Sequence, residues 1–388
     1  MTLPKGFAYA GVAAGIKPGG GLDVGLLVSD RPATAAGVLT ANRFQAAPII
    51  VSKKHLRRGA ARAVVANAGN ANACTGPLGL ADAEAMAATA GAALGIKATQ
   101  VLVASTGVIG RALDMPKIRA GIDAAAGALG TDPAPLAGAI MTTDTRPKTA
   151  RAAAGNATVF GVGKGAGMIA PEMATMLCFI ATDAPVSRSV LTAAVQGAAA
   201  GSFNRISVDG CMSTNDCIFV LANGATGGDA IEAGDPREPT LTGAIAQVCL
   251  SLARQIVEDG EGATKVVEVT VRGGADAREA RAAARTIADS VLLRCAIGGA
   301  DPNWGRVLAA LGTAPIPLDP NMVDVWLGGE KVAERGAIGP GDLDKAAAAM
   351  RDRDVEILVD MHRGDHVATV LTNDLTAEYV AINGDYTT

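Results

Sequence analysis

The chain has 388 residues, enough for one large domain or two ordinary ones with a buried core. Hydrophobic residues make up 49% and charged residues 19%, which excludes a disordered chain. The formal charge of −4 argues against electrostatic nucleic-acid binding, because that would need a basic face. Aromatic residues are only 3%, so the core must be built from Ala, Val, Leu and Ile.

β-type runs occur in groups, separated by Ala-rich segments of helical spacing. This order favours layered α/β sheets over a simple doubly wound sheet. The Gly-Glu-Gly stretch at 260–262 is a candidate junction, so residues 265–388 are predicted as a smaller C-terminal unit. In chain order we predict strand Val24–Val28, strand Pro48–Ser52, strand Ala63–Ala66, helix Ala81–Leu94, strand Val101–Ala104, helix Lys117–Leu129, strand Leu177–Thr182, helix Ser189–Gly201, strand Cys217–Leu221, helix Thr240–Val257, strand Val266–Val271, helix Ala277–Ser290 and strand Val355–Val359.

The cysteine pattern and the N-terminus bear on the compartment. The six cysteines form no C-x-x-C pair and have no neighbouring His, so we expect reduced, mostly buried thiols and no metal site. No apolar run reaches the ~18 residues of a membrane span. Residues 6–16 are apolar but Gly/Ala-rich and weakly hydrophobic, which argues against a signal peptide. The sequence therefore predicts a cytoplasmic protein with no membrane and no nucleic-acid partner.

The stretch Gly161–Asp183 carries the densest chemical signal, because a glycine-rich loop with one lysine runs into a β-type segment. A phosphate-binding loop needs G-x-x-x-x-G-K-[ST]. Position 158 is Thr, and Gly165 follows Lys164, so that match fails. A tight turn before a buried strand remains open as the plain alternative.

Thr175 offers a third interpretation of the same stretch. A threonine hydroxyl is a poor nucleophile without a base beside it, and a chain break just before Thr175 would supply one as the freed α-amine. Such an amine titrates near ~7.7–8.0, so a useful fraction is unprotonated at neutral pH. Small Ala174 and the upstream glycines would let the hydroxyl reach the Ala174 carbonyl. Ala-Thr pairs are common, however, and spacing alone does not establish this reading.

Residues 164–177, KGAGMIAPEMATML, closely resemble the cleavage motif of the ornithine acetyltransferase family, the bifunctional glutamate N-acetyltransferases or ArgJ family. The resemblance extends over nearly the whole chain, and several blocks in the right order are far more specific than any one of them. The other blocks are Asn67–Gly76, Ser105–Gly110, Met141–Thr145, Ser207–Asp216, Asp259–Lys265, Gly299–Arg306 and Asn383–Thr388.

The resemblance implies an α/β fold: a layered αββα sandwich of the N-terminal-nucleophile-like kind, with a smaller C-terminal α/β unit. It also implies autocatalytic cleavage between Ala174 and Thr175. The products would be an α fragment, residues 1–174, and a β fragment, residues 175–388, assembled as two copies of each.

Residue by residue, the family pattern gives Thr175 as nucleophile, with the Thr106 hydroxyl and the Gly107 N–H as oxyanion hole. An ordinary strand-ending turn is the alternative for the latter two. Asp209, Asn215 and Asp216 are interpreted as scaffold near the site rather than as the catalytic base. The substrate-binding residues implied by the resemblance are Thr142 (favoured slightly over Thr143), Lys164, Thr175, Glu261, Asn383 and Thr388.

Each of these substrate contacts has a plainer alternative. Lys164 could be a solvated loop lysine and Glu261 a surface-turn carboxylate. The chain end carrying Asn383 and Thr388 could simply fray.

The reaction implied is transfer of the acetyl group of N-acetyl-L-ornithine to L-glutamate through acetyl-Thr175, a step of arginine biosynthesis. Bifunctional members also load the enzyme from acetyl-CoA as co-substrate, and no other cofactor is expected. A monofunctional ornithine acetyltransferase is one alternative. A self-processing Thr-nucleophile amidohydrolase or aminopeptidase is another, and a non-catalytic small-molecule binding protein with an intact Ala174–Thr175 bond is the third.

Overall fold

The computed structural model describes residues 2–170 and 176–385. The chain divides into two units. The first comprises the residues up to 204 together with 211–256. The second comprises residues 205–210 and the chain from 257 onward.

The first unit contains one eight-stranded sheet, in the order β4-β3-β2-β8-β7-β6-β5 with β1 also paired to β2. Its elements are β1 (Phe7–Val12), β2 (Val24–Leu39), α1 (Ala47–Leu56), β3 (Ala60–Asn70), α2 (Gly76–Leu94), β4 (Val101–Val108), α3 (Met115–Gly127), α4 (Ala134–Ala139), β5 (Lys148–Ala154), β6 (Ala157–Lys164), β7 (Leu177–Thr182), α5 (Arg188–Gly201), β8 (Cys217–Ala222) and α6 (Glu238–Glu258).

Strand β2 divides this sheet into two halves. Its residues from Val24 to Val28 pair with β1 and β3. After an interruption, Ala33 and Thr34 pair with β3 again, and Thr34 to Leu39 pair with β8. Between the two stretches the pairing register shifts, and residues 30–32 are exposed. A long strand interrupted in this way bends, so one half of the sheet can fold over the other.

The two halves of the sheet face each other across one apolar layer. The rings of Tyr9 on β1 and Phe160 on β6 meet edge to face at 5.8 Å, although β1 and β6 are not sheet neighbours. The same buried cluster includes Leu102 from one half and Phe179 and Phe219 from the other.

Helices cover the outer faces of both halves. Met86 of α2 and Ile118 of α3 pack with the β-strand valines in a second buried cluster. On the other side, α6 lies so close to β6 that a Cβ at Gly161 would come within 2.7 Å of Val248. The layers therefore run helix, sheet, sheet, helix, which confirms the predicted αββα sandwich.

Helix α6 is the one helix within the described chain that is long and apolar enough, by length and composition, to cross a membrane. Half of its most apolar window is buried inside the fold. Ile245, Val248 and Leu252 are fully buried, as in the core helix of a layered α/β unit.

The second unit is built on a six-stranded sheet in the order β12-β11-β10-β13-β9-β14, in which only the β13–β9 pair is parallel. Its apolar core lies between this sheet and the helices that follow β9. The elements are β9 (Val266–Gly274), α7 (Ala277–Ala288), α8 (Val291–Gly298), α9 (Trp304–Leu311), β10 (Asp324–Leu327), β11 (Glu330–Glu334), β12 (Ala337–Ile338), α10 (Leu343–Ala349), β13 (Asp354–Asp360), β14 (His366–Asn373) and α11 (Ala377–Asp385).

The sequence predictions for one strand and for the thiols are wrong. The run Pro48–Ser52, predicted as a strand, lies in helix α1, where Pro48 stands in the first turn and needs no backbone N–H donor. A short apolar run does not by itself distinguish a strand from a buried helix. The thiols are not mostly buried either, since Cys74, Cys211 and Cys295 are exposed.

Candidate active site

Strand β4 ends in the predicted oxyanion pair. Thr106 is buried, and Gly107 has a φ of 126°, a backbone conformation that residues with a side chain rarely adopt. A Cβ on Gly107 would lie 2.4 Å from the carbonyl carbon of Gly69 on the neighbouring strand β3. Glycine is therefore required here by both conformation and space.

Lys164 is the last residue of β6, and its side chain is only 2% exposed, so the solvated-loop alternative is wrong. Its ammonium donates to Thr142 Oγ1 at 2.8 Å and to Thr106 Oγ1 at 3.1 Å. The structure thus brings three predicted residues together. Because an ammonium only donates, both hydroxyl oxygens must accept, which leaves each hydroxyl proton to be donated elsewhere.

Asp144 and Lys148 form a fully buried ion pair at 2.7 Å beside this cluster. The same carboxylate accepts the N–H groups of Gly165 at 2.7 Å and Thr142 at 3.0 Å. Burial alone would raise the pKa of Asp144, but the charges of Lys164 and Lys148 outweigh burial and lower that pKa to about 2. Asp144 is thus a permanent anion at neutral pH.

Asp216 and Asn215, which the sequence analysis interpreted as scaffold residues, hydrogen-bond to backbone groups next to predicted site residues. Asp216 Oδ1 accepts the N–H of Met176 at 2.9 Å, and Oδ2 has no hydrogen-bond partner within the described residues. Burial raises the pKa of Asp216 well above its usual value, despite the opposing N–H of Met176 and charge of Lys164. Asn215 Nδ2 donates to the carbonyl of Ser105 at 2.9 Å, directly before Thr106.

The predicted nucleophile Thr175, the cleavage partner Ala174 and the C-terminal Thr388 lie outside the described residues. The loop that leads toward the first two is described as far as Ala170, and Ile169 and Ala170 are buried. Met168 in this loop has a φ of 57°, a left-handed conformation that costs about 1 kcal/mol or more for such a residue. Backbone of this kind concentrates at functional sites.

Glu261 and Asn383 come together in the second unit. Asn383 Nδ2, on helix α11, donates to Glu261 Oε2 at 2.8 Å. Glu261 is 9% exposed and is not the surface-turn carboxylate of the alternative reading. Asp209 lies in this unit too, where it accepts from the Tyr379 hydroxyl at 3.3 Å. Within residues 2–170 and 176–385, no cluster of three or more His, Cys, Asp or Glu could hold a metal ion.

Comparison with known proteins decides the family. The ArgJ family model matches residues 8–388. The chain belongs to the ArgJ family. It is 48% identical to a protein of Symbiobacterium thermophilum named arginine biosynthesis bifunctional protein ArgJ, over 100% of this chain and 98% of that one. A protein of Bifidobacterium longum with the same name is 46% identical, over 100% of this chain and 99% of that one.

A solved ArgJ structure from Bacillus halodurans agrees with this assignment. It is 35% identical with a TM-score of 0.52, and the match covers 98% of that chain but 54% of this one. The family resemblance and the fold class read from the sequence are therefore both confirmed.

The sequence did not indicate two buried charges beside the ArgJ site. Asp144 stands in the block Met141–Thr145, which drew attention only to its threonines. Lys148 follows that block, and nothing in its neighbours shows that its side chain is buried. The one available signal was the acidic residue between threonines in a block shared with the family.

Proposed function

We propose that this chain transfers the acetyl group of N-acetyl-L-ornithine to L-glutamate in arginine biosynthesis, and also forms N-acetylglutamate from acetyl-CoA. The observation that carries the proposal is the match of the ArgJ family over residues 8–388. Relatives aligned over the whole chain are named bifunctional arginine biosynthesis proteins. The enzyme is a glutamate N-acetyltransferase, with amino-acid N-acetyltransferase activity as its second reaction.

The proposed chemistry is a double displacement at one nucleophile. The Thr175 hydroxyl attacks the acetyl carbon of N-acetylornithine while its own α-amine accepts the hydroxyl proton. The tetrahedral intermediate collapses, the C–N bond breaks, and that proton passes to the departing ornithine amine. The glutamate amine then attacks the acetyl-Thr175 ester, and the reverse proton transfers release N-acetylglutamate.

The cluster at the end of β4 fits the charge that develops in this reaction. The tetrahedral intermediate carries an oxyanion, which the Thr106 hydroxyl and the Gly107 N–H would stabilise. Thr106 Oγ1 accepts from Lys164, so its proton is available to the oxyanion. A buried ammonium next to that hydroxyl favours negative charge still further.

Substrate recognition is assigned to groups of matching charge. Thr142, whose hydroxyl proton is directed away from Lys164, can donate to the α-carboxylate that both amino acids share, and Lys164 adds a positive charge. Glu261 would pair with the side-chain ammonium of ornithine. Asn383 and Thr388 complete the proposed contacts.

Self-cleavage between Ala174 and Thr175 would create the nucleophile and its base in one step. The cut gives a fragment of 214 residues, 55% of the chain. Assembly from two α and two β fragments, in the cytoplasm, is part of the proposal.

The test has two parts. A denaturing gel with N-terminal sequencing should show fragments of 174 and 214 residues, the second beginning at Thr175. Acetyl transfer to glutamate should occur from N-acetylornithine and from acetyl-CoA, and Thr175→Ala should abolish both. Transfer from N-acetylornithine alone would indicate the monofunctional alternative, and release of acetate to water would indicate a hydrolase. A single band that never converts, in an active protein, overturns the mechanism.

A further inference from the structure

Asp144 joins three segments of the first unit. Its Oδ1 accepts from Lys148 Nζ at the start of β5 and from the N–H of Gly165, each at 2.7 Å. Its Oδ2 accepts from the N–H of Thr142 at 3.0 Å. One carboxylate therefore fixes Thr142 and the residue that follows Lys164 at the same time.

The charges around Lys164 give this carboxylate a second role. Lys148, at the start of β5, is as buried as Lys164 and repels it. Lys17, on the loop after β1, is half-buried and adds a further positive charge nearby. Asp216, before β8, is buried, and burial raises its pKa and so favours its uncharged form. Asp144 pairs with Lys148 and carries its negative charge beside Lys164, so it offsets the charge of two buried ammonium groups.

The geometry points to Asp144 as a positioning residue of acetyl transfer. It keeps the Lys164 ammonium charged and in place against Thr106, and so directs the Thr106 hydroxyl proton to the oxyanion. This inference rests on the proposed function, because it assigns a role within that reaction. Asp144 itself does not touch the reacting atoms, since its hydrogen-bond partners among the described residues are Lys148, Gly165 and Thr142.

The role makes two kinetic demands. Removing the Asp144 charge should lower kcat rather than raise KM, because an oxyanion exists only in and around the transition state. The pH profile also changes, because the Lys164 ammonium loses a neighbouring negative charge and then gives up its proton at lower pH. A merely structural residue would lower the amount of folded enzyme without moving that profile.

Three variants separate these possibilities: Asp144→Asn, which keeps shape and removes charge; Lys148→Met, which breaks the same pair from the other side; and the double variant. Acetyl transfer from N-acetylornithine to glutamate is measured against pH, on protein whose cleaved fraction is quantified by gel. We expect Asp144→Asn to lower kcat at least about tenfold, with KM within about threefold. The alkaline limb of the pH–rate profile of Asp144→Asn, where activity falls at high pH, should move to lower pH by one unit or more.

Lys148→Met leaves the Asp144 carboxylate beside Lys164. The alkaline limb of the pH–rate profile of this variant should therefore stay in place or move to higher pH. The double variant contains no buried lysine at position 148 that lacks its carboxylate partner, so it should fold as well as Lys148→Met. Because it also lacks Asp144, its alkaline limb should still be shifted to lower pH. If Asp144→Asn stays uncut, the pH dependence of cleavage in the double variant serves as the readout. Attack of Thr175 on the Ala174 carbonyl also forms an oxyanion, so the pH dependence of cleavage tests the same role.

An alkaline limb at its wild-type position in both variants that lack Asp144 overturns the inference, as does a loss confined to KM. These outcomes are distinct from failure of the proposed function. In that case the wild-type protein itself would transfer no acetyl group to glutamate.

Discussion

The two groups of predicted site residues are held in very different ways. In the first unit, Thr106, Thr142 and Lys164 are linked by hydrogen bonds and braced by the buried pair of Asp144 and Lys148. In the second unit, Glu261 has a neutral amide partner on α11, a helix with no buried side chains. A rigid, charged cluster suits the bond-making step, whereas a lightly held carboxylate suits recognition. Changes at Thr106 and Asp144 in the first unit should therefore lower kcat, and changes at Glu261 and Asn383 in the second should raise KM.

The largest effect is expected at Thr106. Thr106→Val removes the hydroxyl while keeping the side-chain shape, and should lower kcat by about 100-fold to 1,000-fold. KM should change little, because the hydroxyl acts in the transition state. Thr106→Ser is the matched control, since it keeps the donor and should retain most of the activity. Steady-state kinetics on cleaved protein give the result, and an equal loss in both variants would contradict an oxyanion role.

The buried charge in the first unit should also appear as acid sensitivity. The pKa of Asp144 is lowered from 3.8 to about 2, so the stabilisation it gives is complete above about pH 4. It is lost as the pH falls from about 4 to about 2, because the unfolded chain takes up a proton on this carboxyl in that range while the folded protein does not. The loss should be about 2 kcal/mol.

Urea unfolding at several pH values, with Asp144→Asn as reference, measures this contribution. The wild-type protein should lose about 2 kcal/mol more than the variant across that interval. Parallel curves for the wild-type protein and Asp144→Asn would show that the buried pair adds nothing to stability.

Glu261 should control recognition of one substrate only. Glu261→Gln removes the charge proposed to pair with the ornithine ammonium, and should raise KM for N-acetylornithine about tenfold. The acetyl-CoA reaction with glutamate should be nearly unaffected, because neither of its substrates carries that ammonium. The two reactions, measured on one preparation, are each other's control. Equal losses in both would place Glu261 in the chemistry instead.

Strands β7 and β4 could be predicted from the sequence because each contains a short, continuous apolar run. Leu177–Thr182 matches β7 at both ends, and Val101–Ala104 lies within β4. Strand β5 gave no such signal because it is rich in Ala, which has weak β-propensity. Strand β6 contains two Val and a Phe, but it was missed because its glycines were interpreted as a loop. Lys164 was consequently expected in a loop, whereas it ends a buried strand.

The active-site residues show a similar division. Thr106, Thr142 and Lys164 came from the family resemblance, and the structure brings them together. Asp144 and Lys148 were missed because burial of a charge is a tertiary property: each is tolerated only because the other is 2.7 Å away. The residues adjacent in the sequence do not indicate such a pairing.

The smallest effect is expected at Asn383. Its amide donates to Glu261 Oε2 at 2.8 Å and to the Tyr379 carbonyl at 3.0 Å. Asn383→Ala removes one neutral donor from a carboxylate that keeps its charge, so KM for N-acetylornithine should rise only about threefold, with kcat unchanged.

Tyr379→Phe is the matched control, because it removes a different hydrogen bond of the same helix, the one to Asp209. That variant should leave KM as it is, and both should unfold within about 0.5 kcal/mol of the wild-type protein. A rise in KM as large as that of Glu261→Gln would mean that Asn383 itself carries much of the recognition. The division between a charged recognition group and its neutral support would then fail, because Glu261 would depend on Asn383 as closely as Lys164 depends on Asp144.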